Sequence, residues 1–312
     1  MAVKSISQDH KIQLISHLVT MLAAGITPQD AIVKVKQSDP SFDPYLKPVL
    51  SHLQSGRALS SSLGKTDLFN RFDLAFLSIY ENAGLIIEGL RDIQRRLEKR
   101  YKIIHKLKTK LYLATGILVV AILASTGIIV ARVSPEAGLL HIAQNTGLLL
   151  IILWLINFIS IQVKDSTEIA FKLYWRYKNV RDINLIRNIV EIQWYKCLIN
   201  QMKSGIDIRQ SIHRQRNLCD VSSYLDAIDQ CEKQIASGTA LTPALVSSGL
   251  VFSTLLRQNL MVAEQSGSLD TGLEHHLMLV ESELEGLLDA YVTWIPRFYY
   301  MFMVLLGSSL IS

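Results

Sequence analysis

The stretch that decides the fold is MLAAGITPQDAI, Met21 to Ile32, in which one helix ends and another begins within a few residues. Gly25 stands at the position after a helix where the backbone turns left-handed, a conformation that costs glycine little. Thr27 then suits the N-cap of the next helix, and Pro28 suits its first turn. The stretch therefore predicts a helix–turn–helix elbow.

The same elbow occurs a second time at Met202 to Ile212 (MKSGIDIRQSI), where Gly205 takes the place of Gly25. Two more landmarks recur in the same order: Leu53–Leu63 matches Ile235–Leu245, and Leu77–Leu90 matches Leu260–Leu273. The offset between the copies drifts only from 180 residues (25 to 205) to 183 residues (84 to 267). Chance matches between apolar residues would not keep such a register, so the chain contains an internal repeat.

Each copy of the repeat predicts helices rather than strands. In the second landmark Gly56 and Gly238 can each end a helix, and Ser60 and Thr242 are candidate caps of the helix that follows. Alternating apolar runs joined by Asn-Gly or Asp-Gly turns, the usual signal of strands, are absent from the sequence. We therefore expect one small antiparallel helical bundle in each copy.

Between and after the two bundles the sequence becomes strongly apolar. Leu111 to Ala131 is 21 residues without a charge, about the length that crosses a ~30 Å hydrocarbon core. Ile142 to Val163 is also free of charge, and Phe298 to Ser312 reaches spanning length only if the span begins near Tyr291. The expected fold class is an all-α membrane protein with two repeated cytoplasmic antiparallel helical bundles and three transmembrane helices.

The basic residues predict the orientation of these spans. The segment 91–110 holds nine Lys or Arg against two acidic residues, whereas the loop between the first two spans has one Arg and one Glu. Since Lys and Arg collect on the cytoplasmic side, both bundles should be cytoplasmic and the C-terminus periplasmic. The expected domains are a first bundle at 1–110, a transmembrane hairpin at 111–163 with spans at about 111–131 and 145–163, a second bundle at 164–290, and a third span at 291–312.

The amino terminus has no basic, apolar and small-residue segments in the order of a signal peptide, so we expect membrane entry through the internal spans. The basic runs lie next to the spans and beside no recognisable nucleic-acid module. They are therefore interpreted as topology signals and contacts to anionic headgroups, and no nucleic-acid partner is expected.

Motifs for catalysis or metal binding are weak in this sequence. Ser60 to Thr66 (SSSLGKT) ends like a phosphate-binding loop, but Leu59 stands where that loop requires glycine. His275 and His276 are adjacent and point about 100° apart on a helix, a poor geometry for chelation. We expect no catalytic residue, no metal and no cofactor.

The three cysteines, Cys197, Cys219 and Cys231, are odd in number and contain no CxxC pair. Both features argue against a disulfide framework, so the sequence predicts buried or idle thiols.

A carboxylate recurs at one place in both copies, at Glu81 and Glu264, three residues before Gly84 and Gly267. One interpretation is structural, with each carboxylate capping a local turn or holding a neighbouring helix by a hydrogen bond. The other is functional, with these four residues at a contact with a partner or with the other bundle. Gly25, Gly205, Gly56 and Gly238 are predicted to be structural turns of the repeat.

These motifs in this order resemble the type II secretion F family, the inner-membrane platform proteins of type II secretion systems and type IV pili. The resemblance rests on the Gly-Ile elbows, on the SGxAL elements at Ser55–Leu59 and Ser237–Leu241, and on the duplicated ExxG…GL pattern, which runs from Glu81 to Leu90 and from Glu264 to Leu273. It covers nearly the whole chain.

The resemblance implies an oligomeric assembly protein without enzymatic activity. Such a platform couples a hexameric cytoplasmic assembly ATPase to the insertion or extraction of pilin or pseudopilin subunits, in contact with other inner-membrane assembly proteins and with membrane lipids. Longer members carry some tens of residues before the first bundle and this chain about ten, which favours a compact type IV pilus member. The alternatives are a platform of a type II secretion system and, more distantly, a transporter or channel, which would require an inverted repeat with charged or broken helices at mid-membrane.

Overall fold

The computed structural model describes residues 8–66, 68–132 and 166–311, and all regular structure in these ranges is helical. The prediction of an all-α fold is therefore confirmed for the described part of the chain. Its α-helices are α1 Gln8–Ala23, α2 Pro28–Ser38, α3 Asp43–Gln54, α4 Leu59–Leu63, α5 Arg71–Asn82, α6 Ile86–Arg132, α7 Ser166–Arg176, α8 Asn184–Lys203, α9 Ile208–Gln215, α10 Ser222–Ala236, α11 Leu241–Ser248, α12 Thr254–Gln265 and α13 Leu269–Ile311. Short 3-10 turns at Pro40–Phe42, Lys178–Val180 and Arg216–Leu218 connect some of them.

The chain divides into two compact units. The first comprises Met1–Glu98 with Thr167–Leu284, and the second comprises Lys99–Ser166 with Glu285–Ser312. Both copies of the repeat fall in the first unit. We call residues 8–98 the first module and residues 167–284 the second module.

The helices of the two modules pack in the same order. In the first module α1 packs on α2, α2 on α3, α3 on α4 and α4 on α5. In the second module α8 packs on α9, α9 on α10, α10 on α11 and α11 on α12. Helices that are neighbours in sequence are thus neighbours in space, as short connections require.

Both elbows of the repeat are Schellman motifs with the same hydrogen bonds. After α1 the Gly25 N–H donates to the Leu22 carbonyl at 3.0 Å and the Ile26 N–H to the Met21 carbonyl at 3.1 Å. After α8 the corresponding distances, from Gly205 and Ile206, are 2.9 and 3.0 Å. The φ angles of 80° at Gly25 and 75° at Gly205 lie in the left-handed region, where any other L-residue is strained.

The same left-handed backbone ends the helices at the other two landmarks. Their glycines have φ angles between 69° and 84°: Gly56, Gly84, Gly238 and Gly267. Three helix ends in each module therefore share one backbone solution.

The first helices of the two modules differ in how much of their surface is buried. Helix α1 buries one stripe, formed by Leu14, Ile15, Leu18, Val19 and Leu22. Helix α8 buries residues around its whole circumference, with Trp194, Tyr195 and Leu198 fully enclosed. A helix that is buried on all sides lies inside the structure. The reason here is that α8 packs against its own module and also against α5 of the first module.

Within the described residues, no helix combines the length and the apolar character that crossing a membrane requires. The first predicted span falls in α6 and the third in α13, and many of the side chains there lie outside the described part of the structure. The second, 142–163, lies entirely outside it.

Two glycines inside helices mark close approaches that also repeat. A Cβ on Gly89 of α6 would lie 2.8 Å from the Tyr80 Cβ of α5, and one on Gly272 of α13 would lie 2.6 Å from the Ala263 Cβ of α12. Non-bonded carbons do not approach so closely, so glycine sets the distance between the last two helices of each module.

Gly272→Ala should therefore destabilise the chain by about 1–3 kcal/mol, because the added methyl forces α12 and α13 apart. Gly286→Ala is the matched control on the same helix, since nothing lies within 4 Å of the added methyl. It should stabilise the chain by up to about 1 kcal/mol through helix propensity. Denaturant unfolding followed by circular dichroism measures both. An equal response of the two variants would contradict the close packing.

Candidate functional site

The duplicated carboxylates bind the N-termini of neighbouring short helices. The Glu81 Oε1 accepts the Leu59 N–H at 2.6 Å, and its Oε2 accepts the Ser60 N–H at 2.9 Å and the Ser60 hydroxyl at 2.5 Å. The Glu264 carboxylate accepts the N–H groups of Leu241 at 2.6 Å and Thr242 at 3.0 Å.

The helices that receive these carboxylates have no cap of their own. The N-cap positions of α4 and α11 are Ala58 and Ala240, which have no side-chain acceptor. The prediction that Ser60 and Thr242 are the caps is wrong, because each helix begins one residue before them. The first N–H groups of a helix need acceptors and attract negative charge. A glutamate from the next long helix supplies both, three residues before the glycine that ends that helix.

This geometry is that of the structural alternative for Glu81 and Glu264. Both oxygens of each carboxylate face a helix within the same module, and Gly84 and Gly267 close the helices that carry them. A direct contact of these four residues with a partner protein stays a prediction.

The two modules meet where α5 of the first module packs against α8 of the second. The Phe72 ring lies 4.9 Å from the Phe171 ring, measured between centroids. At the edge of this interface Arg71 pairs with Asp220 at 2.6 Å. The interface is aromatic in its interior and ionic at its rim, which is the usual arrangement of a specific protein interface.

A polar network continues this interface and ties three helices to α8. The Tyr80 hydroxyl donates to Asp92 Oδ2 at 3.0 Å and accepts from the Asn200 amide at 2.6 Å. The Lys196 ammonium lies 3.8 Å from Asp92 and 2.7 Å from Glu281. Burial raises the pKa of the Tyr80 phenol well above its usual value, so it keeps its proton and remains a donor at neutral pH.

This network borders a cleft of about 450 Å³ between the modules. Its walls are the first turns of α6 and α13 and its floor is α8, with the lining residues Glu88, Arg91, Asp92, Arg95, Lys196, Ile199, Asn200, Glu274, Leu277, Met278 and Glu281. The α6 wall carries Arg91 and Arg95, whereas their repeat counterparts on the α13 wall are Glu274 and Met278. Charges of both signs around apolar side chains suit a polypeptide segment better than a small metabolite.

Sequence analysis did not single out Tyr80, Asp92, Lys196 or Asn200. A signal was present for two of them, because Lys196 and Asn200 lie in the mainly apolar stretch at 189–200. Polar side chains on a helix that is buried on all sides need partners. Which partners these are depends on a helix more than 100 residues away in sequence.

The histidine pair divides as the sequence predicts, with His275 on a different side of the helix from His276, which is fully buried. The Asn259 amide donates to His276 Nδ1 at 2.9 Å, so His276 Nε2 carries the proton that is donated to Glu191 at 2.5 Å. In the described part of the chain, no group of three or more His, Cys, Asp or Glu side chains is placed to hold a metal ion.

The cysteines are buried and free of disulfides, as the sequence predicts. Burial raises the pKa of the Cys197 thiol far above its usual value and that of Cys231 to about 11. Both thiols are neutral at physiological pH and therefore weak nucleophiles.

Comparison with known proteins defines the class. The model of the family described as "Type II secretion system (T2SS), protein F" matches residues 14–133, which include the first module and its elbow. The chain is a member of the type II secretion system protein F family, and the resemblance seen in the sequence is confirmed.

A particular relative is "Type IV pilus assembly protein PilC" from Thermus thermophilus. It is 22% identical over 317 aligned residues, which cover 95% of this chain and 78% of the relative.

Removal of a capping carboxylate should destabilise its module. Glu81→Ala leaves the first N–H groups of α4 without their charged acceptor and should cost about 1.5–3 kcal/mol. Glu81→Gln retains an uncharged acceptor and should cost less. Glu283→Ala, an exposed position on α13, is the matched control and should change little. Unfolding midpoints report the order of the variants. Equal midpoints for Glu81→Ala and Glu283→Ala would disprove the capping role.

The native cysteines should react slowly with iodoacetamide at about pH 8. Because they are buried and their thiolate forms are scarce, alkylation of the folded chain should be at least about tenfold slower than in guanidinium chloride. An exposed thiol introduced by Val262→Cys provides the positive control in the folded protein. Rapid alkylation of Cys197 in the folded chain would contradict its position in the core.

Proposed function

We propose that this chain is a non-enzymatic inner-membrane platform protein of type IV pilus biogenesis. In this proposal it couples a cytoplasmic hexameric assembly ATPase to the insertion or extraction of pilin subunits. The observation that carries the proposal is the similarity over 95% of the chain to a protein named for type IV pilus assembly.

The proposed topology places both modules in the cytoplasm. The chain would cross the inner membrane at about 111–131, at 145–163 and within 291–312, so that the C-terminus is periplasmic. The density of Lys and Arg in 91–110 supports this orientation. In the proposal, each module is followed in sequence by a transmembrane helix.

The helices that leave the modules support a mechanical role. Helix α6 is 47 residues long and α13 is 43 residues long, and each begins in the first unit and ends in the second. A continuous helix resists bending, so a displacement of a module would be carried along it. The modules would offer surfaces to the motor, and the spans would offer a lateral surface to the apolar helix of a pilin.

The cleft between the modules is the candidate coupling site. A partner segment that entered it would contact both modules at once and could change the ion pairs of Lys196 with Asp92 and Glu281. Energy for the cycle would come from the ATPase, since the sequence shows no nucleotide-binding motif.

The second candidate function is the platform of a type II secretion system, in which pseudopilins replace pilins. The family's own description supports it, because it names the type II secretion system. Homo-oligomerisation and contacts with other inner-membrane assembly proteins and lipids belong to both candidates.

Deletion of the gene tests the function and separates the two candidates. We expect loss of surface filaments with normal protein secretion, and restoration by the wild-type gene. Loss of secretion with normal filaments would assign the chain to a secretion system instead. Normal filaments together with normal secretion would reject both.

Complementation with Lys196→Glu tests the cleft. The reversed charge repels Asp92 and Glu281, so we expect few or no filaments although the protein still accumulates in the membrane. Lys34→Glu, an exposed charge reversal on α2, is the matched control and should restore filaments. Full complementation by Lys196→Glu would exclude the cleft as the coupling site.

A further inference from the structure

The second module exposes a group of large apolar side chains on its last two helices. On α12, 47% of Leu255, 44% of Met261 and 67% of Val262 is exposed, and on α13, 46% of Leu279 is exposed. We call these four residues the α12–α13 face. Neighbouring exposed apolar residues of this size are typical of a surface that binds another protein.

The first module shows what this face does when it is covered. At the repeat offset of 183 residues, Leu255 corresponds to Phe72 and Val262 to Ile79. Phe72 is 1% exposed and Ile79 is 2% exposed. They lie on α5, the helix that packs against the second module. The same position on the repeated fold is thus an interface in one copy and is exposed in the other.

The differences between the two copies make the exposed face more apolar. Ser78 is replaced by Met261 and Arg96 by Leu279 at the corresponding positions. In the first module Arg96 pairs with Asp73 at 3.0 Å and lies over the Phe76 ring. A face that is in contact with water would be expected to change in the opposite direction, toward polar residues.

We propose that the α12–α13 face binds the same face of a second copy of this chain, with two-fold symmetry. A two-fold contact is formed by one patch pairing with itself, so an apolar patch meets an apolar patch. With the axis passing α12 between Gln258 and Asn259, the two α12 helices run antiparallel. Leu255 of each copy then lies opposite Val262 of the other, because both are equally far from the axis in sequence.

The other geometry that the repeat allows is head to tail, and its chemistry is poor. The partner of α5 within the chain is α8, and the counterpart of α8 in the first module is α1. The exposed side of α1 carries Gln13, His17 and Thr20. These polar side chains would lose hydration against Leu255 and Val262 without gaining hydrogen bonds. The apolar face therefore favours pairing with itself.

The inference does not depend on which filament or cargo the chain serves. A chain that forms this dimer but whose deletion leaves filaments and secretion intact would keep the inference and lose the proposed function. A chain that is required for filaments but does not pair through this face would do the reverse.

Cysteine cross-linking of the full-length chain in detergent tests the register. The Leu255→Cys/Val262→Cys double variant should form a covalent dimer under mild oxidation. These residues are two turns apart on one helix, so they cannot reach each other within one copy. Each single variant should cross-link far less, because its like residue in the partner lies about 10 Å away along the helix. The buried native cysteines supply the low background.

The mass in solution tests the energy of the contact. The wild-type chain should have twice its monomer mass of 35.1 kDa. Val262→Glu should weaken the dimer at least about tenfold, since it places two carboxylates in an apolar interface. Arg257→Glu, an exposed position on the opposite side of α12, is the matched control and should leave the mass unchanged.

Three results would overturn the inference. The first is a monomeric wild-type chain, and the second is an oligomer that neither responds to Val262→Glu nor cross-links in the double variant. The third is efficient cross-linking of Val262→Cys to His17→Cys between copies, which would establish the head-to-tail geometry instead. A covalent dimer of the double variant together with dissociation by Val262→Glu would support the proposed contact.

Discussion

The packing of α5 against α8 is the interaction on which the rest of the structure depends. It places an aromatic face of the first module on a helix that its own module already surrounds, and so joins two repeats into one compact unit. Because α8 is then covered on all sides, its polar residues must find partners in the other module. Asn200 binds Tyr80, and Lys196 binds Asp92 and Glu281. The cleft is a consequence of this contact, since its floor is α8 and its walls are the helices that follow each repeat.

A second constraint acts inside each module. Helices α4 and α11 have five and eight residues, too few to be stable without tertiary contacts. The carboxylates of Glu81 and Glu264 hold their N-termini, so the short helix and the long helix that carries the glutamate must form together. The duplication of this device explains why a glutamate and a glycine keep their spacing in both copies. It also directs the search for function away from these residues and toward the cleft, which the two modules form jointly.

The two modules share a backbone plan but differ in what their outer faces contact. The α5 face of the first module is satisfied inside the chain, whereas the corresponding face of the second module is exposed and has become more apolar. A repeat whose interface is used once within the chain leaves one unused copy of that interface. For a platform that assembles a filament, such a division is useful, since one face makes the unit and the other is available to join units.

The sequence by itself determined the features that depend on neighbouring residues. The elbows, the helical class and the internal repeat follow from glycines, caps and apolar spacing within a few positions, and Gly25 and Gly205 show the backbone that their context predicts. Tertiary structure alone decided which helices meet. The capping of α4 by Glu81 joins residues 22 positions apart, and the bond between Tyr80 and Asn200 joins residues 120 positions apart. Such pairs are chosen by the shape and burial of whole helices, which local capping and periodicity do not encode. For that reason the turns could be assigned from sequence, whereas the cleft and the partner of the duplicated carboxylate could not.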